Sequence, residues 1–250
     1  MKAYLETPCR SQPTFGTLDP GPWTGLPLSR RLGNMTRSID VTQGDLPIRG
    51  THVILRDWRN EDLEPFRHWL GPGHAWHRFD GPYYALGTPE QTNASVELRR
   101  RLMETGSFPS PRVDLVIADA IDDRLIGRVN RYWISEETDW LALGIALYDE
   151  RSWGRGLGTE AFGLWCEYLW RAMPRLVRLD FRTWSGNHGM QAIGRRLGFR
   201  EEARFRMARI VDGDYHDGLG FGVLRTEWEA RYPDRFGRSG GTSDADVGTG

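Results

Sequence analysis

The sequence predicts an α+β fold in which helices flank a mixed, mostly antiparallel central sheet. Three successive apolar segments, 113–118, 125–134 and 140–147, are joined by short polar turns, which is typical of an antiparallel meander. Further on, apolar and charged residues alternate over 177–183, and the amphipathic stretch 160–173 separates this strand from the meander. A strand, a helix and a second strand in this order form a right-handed crossover, so one pair of strands is predicted to be parallel.

The segments before the meander predict a strand and two helices. Residues 53–56 form a short apolar strand, and Asn60 is placed to cap a helix over 60–70. A second helix is predicted over 89–103. The connection between the two helices, 74–84, is unusually aromatic, which is typical of a loop that takes part in recognition.

The C-terminal part predicts one more helix and a final hairpin. The helix covers 187–197. The hairpin strands are predicted over 203–211 and 218–224, with the turn at Asp212-Gly213.

Composition predicts one ordered domain and two disordered ends. Residues 1–45 are rich in Pro, Gly, Ser and Thr without periodicity, the patterned part covers 46–233, and residues 234–250 form a tail of low apolar content. Cys9 falls in the first region and Cys166 in a predicted helix, so both are expected to be free thiols.

Charge and hydropathy argue against several classes of partner. The chain of 250 residues has 33 basic and 34 acidic residues, a balance that favours neither nucleic acid nor an anionic membrane surface. The longest apolar run, 140–148, is far shorter than the roughly 20 residues of a membrane-spanning helix, and the N-terminus lacks the hydrophobic core of a signal peptide. We therefore expect a cytoplasmic protein.

A glycine-rich turn between the strand 140–147 and the helical stretch after it is the most informative motif. Glycines at alternate positions let the backbone turn tightly, and the first turn of a helix adds unpaired N–H groups and the positive end of its dipole. Such a turn suits a phosphate group. The turn consists of Trp153, Gly154, Arg155, Gly156, Leu157, Gly158 and Thr159.

The turn alone leaves other interpretations open. A tight connection between a strand and a helix needs no ligand. A dinucleotide-binding fold would place glycine at position 159, where the chain has Thr, although Asp180 lies at a suitable distance to bind a ribose. A P-loop is excluded, because no Gly-Lys-Ser/Thr sequence is present.

Four motifs that follow one another along the chain help to choose between these interpretations of the turn: WGRGLGTEAF, TWSGN, RRLGF and LRTEW. Together they resemble the GNAT N-acetyltransferase superfamily, in particular its RimJ/RimL-like branch, over about residues 46–233. The resemblance implies that the glycine-rich turn binds the pyrophosphate of acetyl-CoA, the acetyl donor. It also implies that the strand near Ile145, Ala146 and Leu147 is bulged and separates from the strand ending at Thr183, with pantetheine between them.

The resemblance further implies direct acetyl transfer to a primary amine. Asn187 stands where the family has an Asn that bonds the pantetheine arm, although it can equally cap a helix. The usual acid and base are missing, since Met190 and Gly194 replace the family's Ser or Tyr and Ala142 replaces its carboxylate. Ser185 is the nearest candidate for a hydroxyl donor, with a serine that bonds its own turn as the alternative.

A site without a strong base favours an α-amine. The reference pKa of an α-amine lies about 2.5 units below that of a lysine side chain, which corresponds to about 3.4 kcal/mol in favour of the neutral amine. We therefore expect a protein N-terminus as acceptor. A small-molecule amine (an aminoglycoside, a polyamine or an amino acid) is one alternative, and a catalytically inactive acyl-CoA-binding sensor is another.

The aromatic connection 74–84 supplies the predicted acceptor-binding residues, because the family has the equivalent connection over its acceptor pocket. No metal is expected, since the histidines show no compact ligand spacing and the transfer needs none. The 11 tryptophans are compatible with a homodimer surface. The predicted acceptor-binding residues are Trp76, His77, Asp80 and Tyr83.

Overall fold

One eight-stranded sheet with helices on both faces organises the chain. The structure is a computed structural model that describes residues 46–237. None of its helices is long and apolar enough to cross a membrane. The strands are β1 (Ile48–Arg49), β2 (Val53–Arg56), β3 (Asp114–Asp119), β4 (Leu125–Ser135), β5 (Trp140–Leu147), β6 (Arg178–Trp184), β7 (Arg200–Val211) and β8 (Asp214–Leu224). The α-helices are α1 (Asn60–Leu70), α2 (Pro89–Thr105), α3 (Leu157–Ala172), α4 (His188–Leu197) and α5 (Arg225–Arg231).

The order of the strands confirms the predicted fold class. Neighbours in the sheet follow the order β1-β2-β3-β4-β5-β6-β8-β7. Every neighbouring pair is antiparallel except β5 and β6, which are parallel and connected through α3. The fold is therefore α+β with a mixed, mostly antiparallel sheet.

Two apolar clusters hold the helices against opposite faces of the sheet. Phe162 and Trp165 of α3 pack in a cluster with Leu143 of β5. Phe66 of α1 packs in the other cluster with Tyr148, which follows β5. Side chains alternate between the two faces of a strand, so α3 and α1 cover different faces.

The helix α3 begins earlier than predicted. The pattern starts it at Glu160, whereas the structure starts it at Leu157, so the last three residues of the glycine-rich turn form the first helical turn. Gly156 precedes them with a φ of 86°, and its carbonyl oxygen accepts the N–H of Glu160 at 3.0 Å. Glycine adopts this φ without a steric penalty, which lets the helix start before its amphipathic pattern is visible.

The start of α1 also differs from the prediction. Asn60 is the first helical residue rather than the cap, and Arg59 precedes it in an extended conformation. A carboxylate oxygen of Asp62 accepts the N–H of Arg59 at 2.8 Å. The helix is therefore capped from within its own first turn, where an acidic side chain also suits the helix dipole.

The predicted domain boundaries fall partly outside the described residues, since 1–45 and 238–250 are not among them. Residues 234–237, which the sequence assigns to the C-terminal tail, are described, and Phe236 packs against the α3 cluster. Cys166 is a buried free thiol, and Cys9 lies outside the described residues.

Candidate active site

β5 and β6 separate and leave a gap in the sheet. They pair only through Ala142 with Asp180 and Leu143 with Phe181. Beyond these residues β5 stays in register with β4 as far as Leu147, while β6 stays with β8. The separation implied by the family resemblance is therefore present. The implied bulge in β5 is not, because the irregularity of the β4–β5 pair lies at its opposite end.

A cavity of about 930 Å³ occupies this gap. Its volume is typical of a site for a cofactor or a drug-sized ligand. Arg155 is the one predicted cofactor residue that does not line the cavity, and its side chain is exposed. The predicted cofactor residues that do line it are Ile145, Ala146, Leu147, Trp153, Gly154, Gly156, Leu157, Gly158, Thr159 and Asn187.

The beginning of α3 offers backbone donors to this cavity. The N–H groups of Leu157, Gly158 and Thr159 lie in the first helical turn, where the helix has no acceptor for them. A Cβ on Gly158 would lie 3.0 Å from Cδ1 of Ile193, so this turn packs closely against α4. A Cβ on Gly156 would meet nothing within 4 Å, so the space before the helix is open. Converging N–H groups at the positive end of a helix dipole fit a diphosphate.

The backbone of β5 also presents a donor to the gap. Tyr148 donates its N–H to the carbonyl oxygen of Ile126 in β4 at 3.0 Å. Because successive residues of a strand direct their N–H groups to opposite sides, Leu147 and Ile145 direct theirs away from β4. β6 does not pair with them. Ile145 therefore presents its N–H to a carbonyl oxygen bound in the gap.

Trp153 connects the glycine-rich turn to the aromatic segment, residues 74–84. Its Nε1 donates to the carbonyl oxygen of Leu147 at 3.1 Å. Its ring meets the ring of Phe79 edge to face, with the centroids 5.4 Å apart. One side chain thus closes the end of β5 and supports the aromatic segment.

Asn187 uses both ends of its amide within the protein. Its Oδ1 accepts the N–H of Met190 at 2.9 Å, which makes it the cap of α4. Its Nδ2 donates to the carbonyl oxygen of Phe79 at 3.1 Å, and Nε1 of Trp184 donates to the same oxygen at 3.2 Å. The capping interpretation is confirmed, and the bond to a pantetheine arm stays a prediction.

The aromatic segment brings three of its four predicted acceptor residues into the cavity: Trp76, Asp80 and Tyr83. Asp80 is the single acidic residue among those that line the cavity, and within residues 46–237 its carboxylate has no ion pair. His77 does not line the cavity. Its Nε2 lies 2.8 Å from the carbonyl oxygen of Gly71, a bond that turns the ring toward the end of α1.

The structure does not bring Ser185 into the cavity, contrary to the prediction. Its Oγ accepts the N–H of Asp217 at 3.1 Å, and its own N–H donates to the carbonyl oxygen of Asp217 at 2.9 Å. These bonds hold Ser185 against β8. Gly194, a position where the family has a hydroxyl, lies so close to the ring of Phe181 that a Cβ would overlap it.

The polar residues of the cavity that sequence analysis missed include Tyr132, Arg182, Arg196 and Arg209. The guanidinium carbon of Arg209 lies 4.5 Å from the ring centroid of Tyr83. Burial raises the pKa of the Tyr83 phenol, and the guanidinium opposes this shift. Because side chains alternate between the two faces of a strand, the patterns of β4 and β6 indicate the face on which Tyr132 and Arg182 lie. Arg209 follows a register irregularity in β7 that no sequence pattern indicates.

The cavity is lined by three arginines and one aspartate, so its charge favours anionic ligands. No group of three or more His, Cys, Asp or Glu side chains within 46–237 could hold a metal ion.

Comparison with known sequences matches residues 52–200 to the family described as Acetyltransferase (GNAT) domain. The Bacillus subtilis protein YdaF, named as a candidate ribosomal N-acetyltransferase, is 28% identical over 109 residues, which are 42% of this chain and 51% of YdaF. The match thus spans about half the length of this curated relative.

Comparison with solved structures finds the same fold. A GNAT-family acetyltransferase from Bacillus anthracis has a TM-score of 0.58 and 15% identity, over 73% of this chain and 100% of that one. The ribosomal L7/L12 α-N-protein acetyltransferase RimL, in complex with coenzyme A, has a TM-score of 0.54 and 19% identity, over 70% of this chain and 94% of RimL.

Proposed function

The chain belongs to the GNAT acetyltransferase family, a family of acyl-CoA-dependent N-acetyltransferases, and we propose that it acetylates the α-amine of a protein N-terminus with acetyl-CoA as donor. One observation carries the proposal. A single cavity adjoins both the glycine-rich turn before α3 and the aromatic segment, so donor and acceptor have adjacent places. The names of YdaF and RimL support the RimJ/RimL-like branch and a ribosomal acceptor, which would place the reaction in the cytoplasm.

In this proposal the donor lies along the gap between β5 and β6. The N–H groups at the start of α3 hold the diphosphate of acetyl-CoA. Arg196 lines the cavity on α4 and adds positive charge, and the exposed Arg155 stands in the turn itself. Pantetheine takes the place that β6 leaves beside Ile145.

The reaction forms a bond between the amine nitrogen and the acetyl carbon and breaks the bond from that carbon to sulfur. The N–H of Ile145 stabilises the negative charge that develops on the carbonyl oxygen. Asp80 faces the amine and accepts the proton that nitrogen loses when the bond forms. The thiol has a reference pKa near 8.5, so the thiolate leaves tolerably without a dedicated acid.

The charge of the cavity separates the possible acceptors. An aminoglycoside or a polyamine carries several positive charges and would meet Arg182 and Arg209 with the single carboxylate of Asp80. A protein N-terminus or an amino acid carries one ammonium group, which Asp80 alone can match. The cavity therefore favours these acceptors over polycations.

Calorimetric titration with acetyl-CoA tests the donor half of the proposal. We expect micromolar binding by the unmodified protein and none by Gly156→Glu, because the new carboxylate occupies the open space before α3. Gly213→Glu is the matched control. Gly213 has a φ of 89°, a Cβ there meets nothing within 4 Å, and it does not line the cavity, so this variant should bind as the unmodified protein does.

Release of coenzyme A thiol tests the transfer. Near neutral pH we expect faster release with a peptide that has a free α-amine than with an N-terminally blocked peptide that has one lysine. Faster release with the lysine peptide would contradict the choice of an α-amine. Donor binding without release for any amine would support the inactive sensor.

A further inference from the structure

Arg182 and Arg209 reach the cavity from the face of the sheet opposite to α3. Phe181 belongs to the α3 cluster, so Arg182 beside it projects from the other face. Trp184 shares that face and pairs with Gly218. A Cβ on Gly218 would lie 3.7 Å from Nε of Arg209, so the side chain of Arg209 crosses the same face. The donor site at the start of α3 does not account for either arginine.

Neither arginine forms an ion pair within the described part of the chain. By contrast, Arg204 of the same hairpin is paired, since it contacts Glu201 at 2.7 Å and Asp217 at 2.7 Å. The Nε of Arg209 is buried and has no hydrogen-bond partner. A buried donor without a partner costs free energy, which a bound acceptor group would recover.

Asp80 lines the same cavity as the two arginines. It precedes Tyr83 by three residues in the aromatic segment, and the guanidinium carbon of Arg209 lies 4.5 Å from the ring centroid of Tyr83. A carboxylate and a guanidinium that line one cavity match a ligand that combines an ammonium with a carboxylate.

We propose that the acceptor has a carboxylate close to its reactive α-amine, and that Arg209, together with Arg182, binds this carboxylate while Asp80 faces the amine. The inference rests on the proposed transfer to an α-amine and narrows the acceptor to protein N-termini with an acidic second residue. The planar guanidinium suits this task because it binds a carboxylate through two parallel hydrogen bonds. Arg209 is thus a residue that determines specificity.

Two peptides that differ only in Asp or Asn at their second position test the proposal. A charged hydrogen bond replaced by a neutral one should change kcat/KM by about tenfold in favour of the Asp peptide. Arg209→Gln should bring the ratio of the two kcat/KM values close to one, and Arg209→Lys should give an intermediate ratio, because lysine keeps the charge without the paired donors.

Arg206→Gln is the matched control. Arg206 lies on the same strand, is exposed and does not line the cavity, so this variant should leave both rates unchanged. Calorimetric binding of acetyl-CoA by each variant separates loss of folding from loss of specificity.

Equal rates with the two peptides, or an unchanged ratio in Arg209→Gln, would overturn the inference while leaving the proposed transfer intact. Donor binding without transfer to either peptide would instead contradict the proposed function. A free amino acid and its carboxamide form a further pair. Transfer to the free amino acid and not to the peptides would overturn the assignment to protein N-termini.

Discussion

Single residues hold the first part of the chain together through buried charge pairs. Arg56, which is 4% exposed, donates to the carboxylate of Asp62 at 2.7 and 3.0 Å and to that of Asp123 at 2.8 Å. These contacts join β2, α1 and the turn between β3 and β4. Removal of one partner from a buried pair lowers the free energy of unfolding by more than the intact pair contributes to it, because the remaining buried charge has no partner.

The carboxyl of Asp123 gives this network a dependence on pH. Burial raises the pKa of Asp123, but hydrogen bonds and charge from Arg56 and Arg59 outweigh burial and hold the pKa below its ordinary value. A lowered pKa in the folded state adds stability that is present above the ordinary pKa and is lost as the pH falls through the folded value. Asp123→Asn should therefore lower the free energy of unfolding by about 1 kcal/mol at pH 7 and by less at pH 3.

Urea unfolding at the two pH values measures this difference. Asn tolerates the φ of 58° at position 123, so the backbone adds little to the effect. Asp122→Asn is the neighbouring control, since that exposed pair with Arg124 should change stability by less than about 0.5 kcal/mol. The same loss at both pH values in Asp123→Asn would contradict the role of its ionisation.

Among the helices and strands, the start of α4 links the proposed donor and acceptor sides of the cavity. Asn187 caps the helix and also holds the carbonyl oxygen of Phe79 in the aromatic segment. Trp153 supports the ring of the same Phe79 from the glycine-rich turn. The position of the aromatic segment thus depends on two elements that line the proposed donor site.

Two substitutions at Asn187 separate its two contacts. Asn187→Asp keeps an oxygen for the N–H of Met190 and loses the donor to Phe79, whereas Asn187→Ala loses both. Asn187→Ala should lower the free energy of unfolding by about 1 kcal/mol, and Asn187→Asp should leave it nearly unchanged. Both variants should raise the KM for the acceptor. Equal stability of the two variants would show that the cap contributes nothing measurable.

Across the whole molecule, the cavity is assembled from distant parts of the chain. The aromatic segment supplies Asp80, and the final hairpin supplies Arg209. The hairpin also exposes apolar side chains, with Phe205 at 62% and Ile210 at 53% exposure. The predicted homodimer stays a prediction.

The C-terminal end of the described region packs against the core through Phe236. The ring of Phe236 lies directly on Gly163 of α3, and its centroid is 5.1 Å from that of Tyr232 and 6.0 Å from that of Trp228. Phe236→Ala should lower the free energy of unfolding by about 1–3 kcal/mol, less than for a fully buried ring. Phe205→Ala, on the exposed hairpin, should change it by less than about 0.5 kcal/mol. The two variants are compared by their midpoints of unfolding in urea. Equal midpoints would contradict the packing role of Phe236.

The sequence by itself determined the fold class, most of the elements (β1 and α5 were not predicted) and the place of the proposed donor site. Periods of two and 3.6 residues are local properties of the chain, so β5 is found at its predicted bounds, and α4 at its bounds apart from the capping Asn187. The backbone before α3 needs a positive φ at Gly156, and glycine is the residue type that adopts it without a steric penalty. The glycine spacing therefore indicates the turn from the sequence alone.

Tertiary structure alone decided which side chains enter the cavity. His77 and Ser185 have suitable chemistry, but the backbone of Gly71, six residues before His77, and that of Asp217, 32 residues after Ser185, bind their polar atoms and hold them outside. Arg209 enters because an irregular register in the final hairpin directs it across β8. The direction of a side chain in a loop or beyond an irregular register depends on partners far along the chain, and no local pattern encodes these partners.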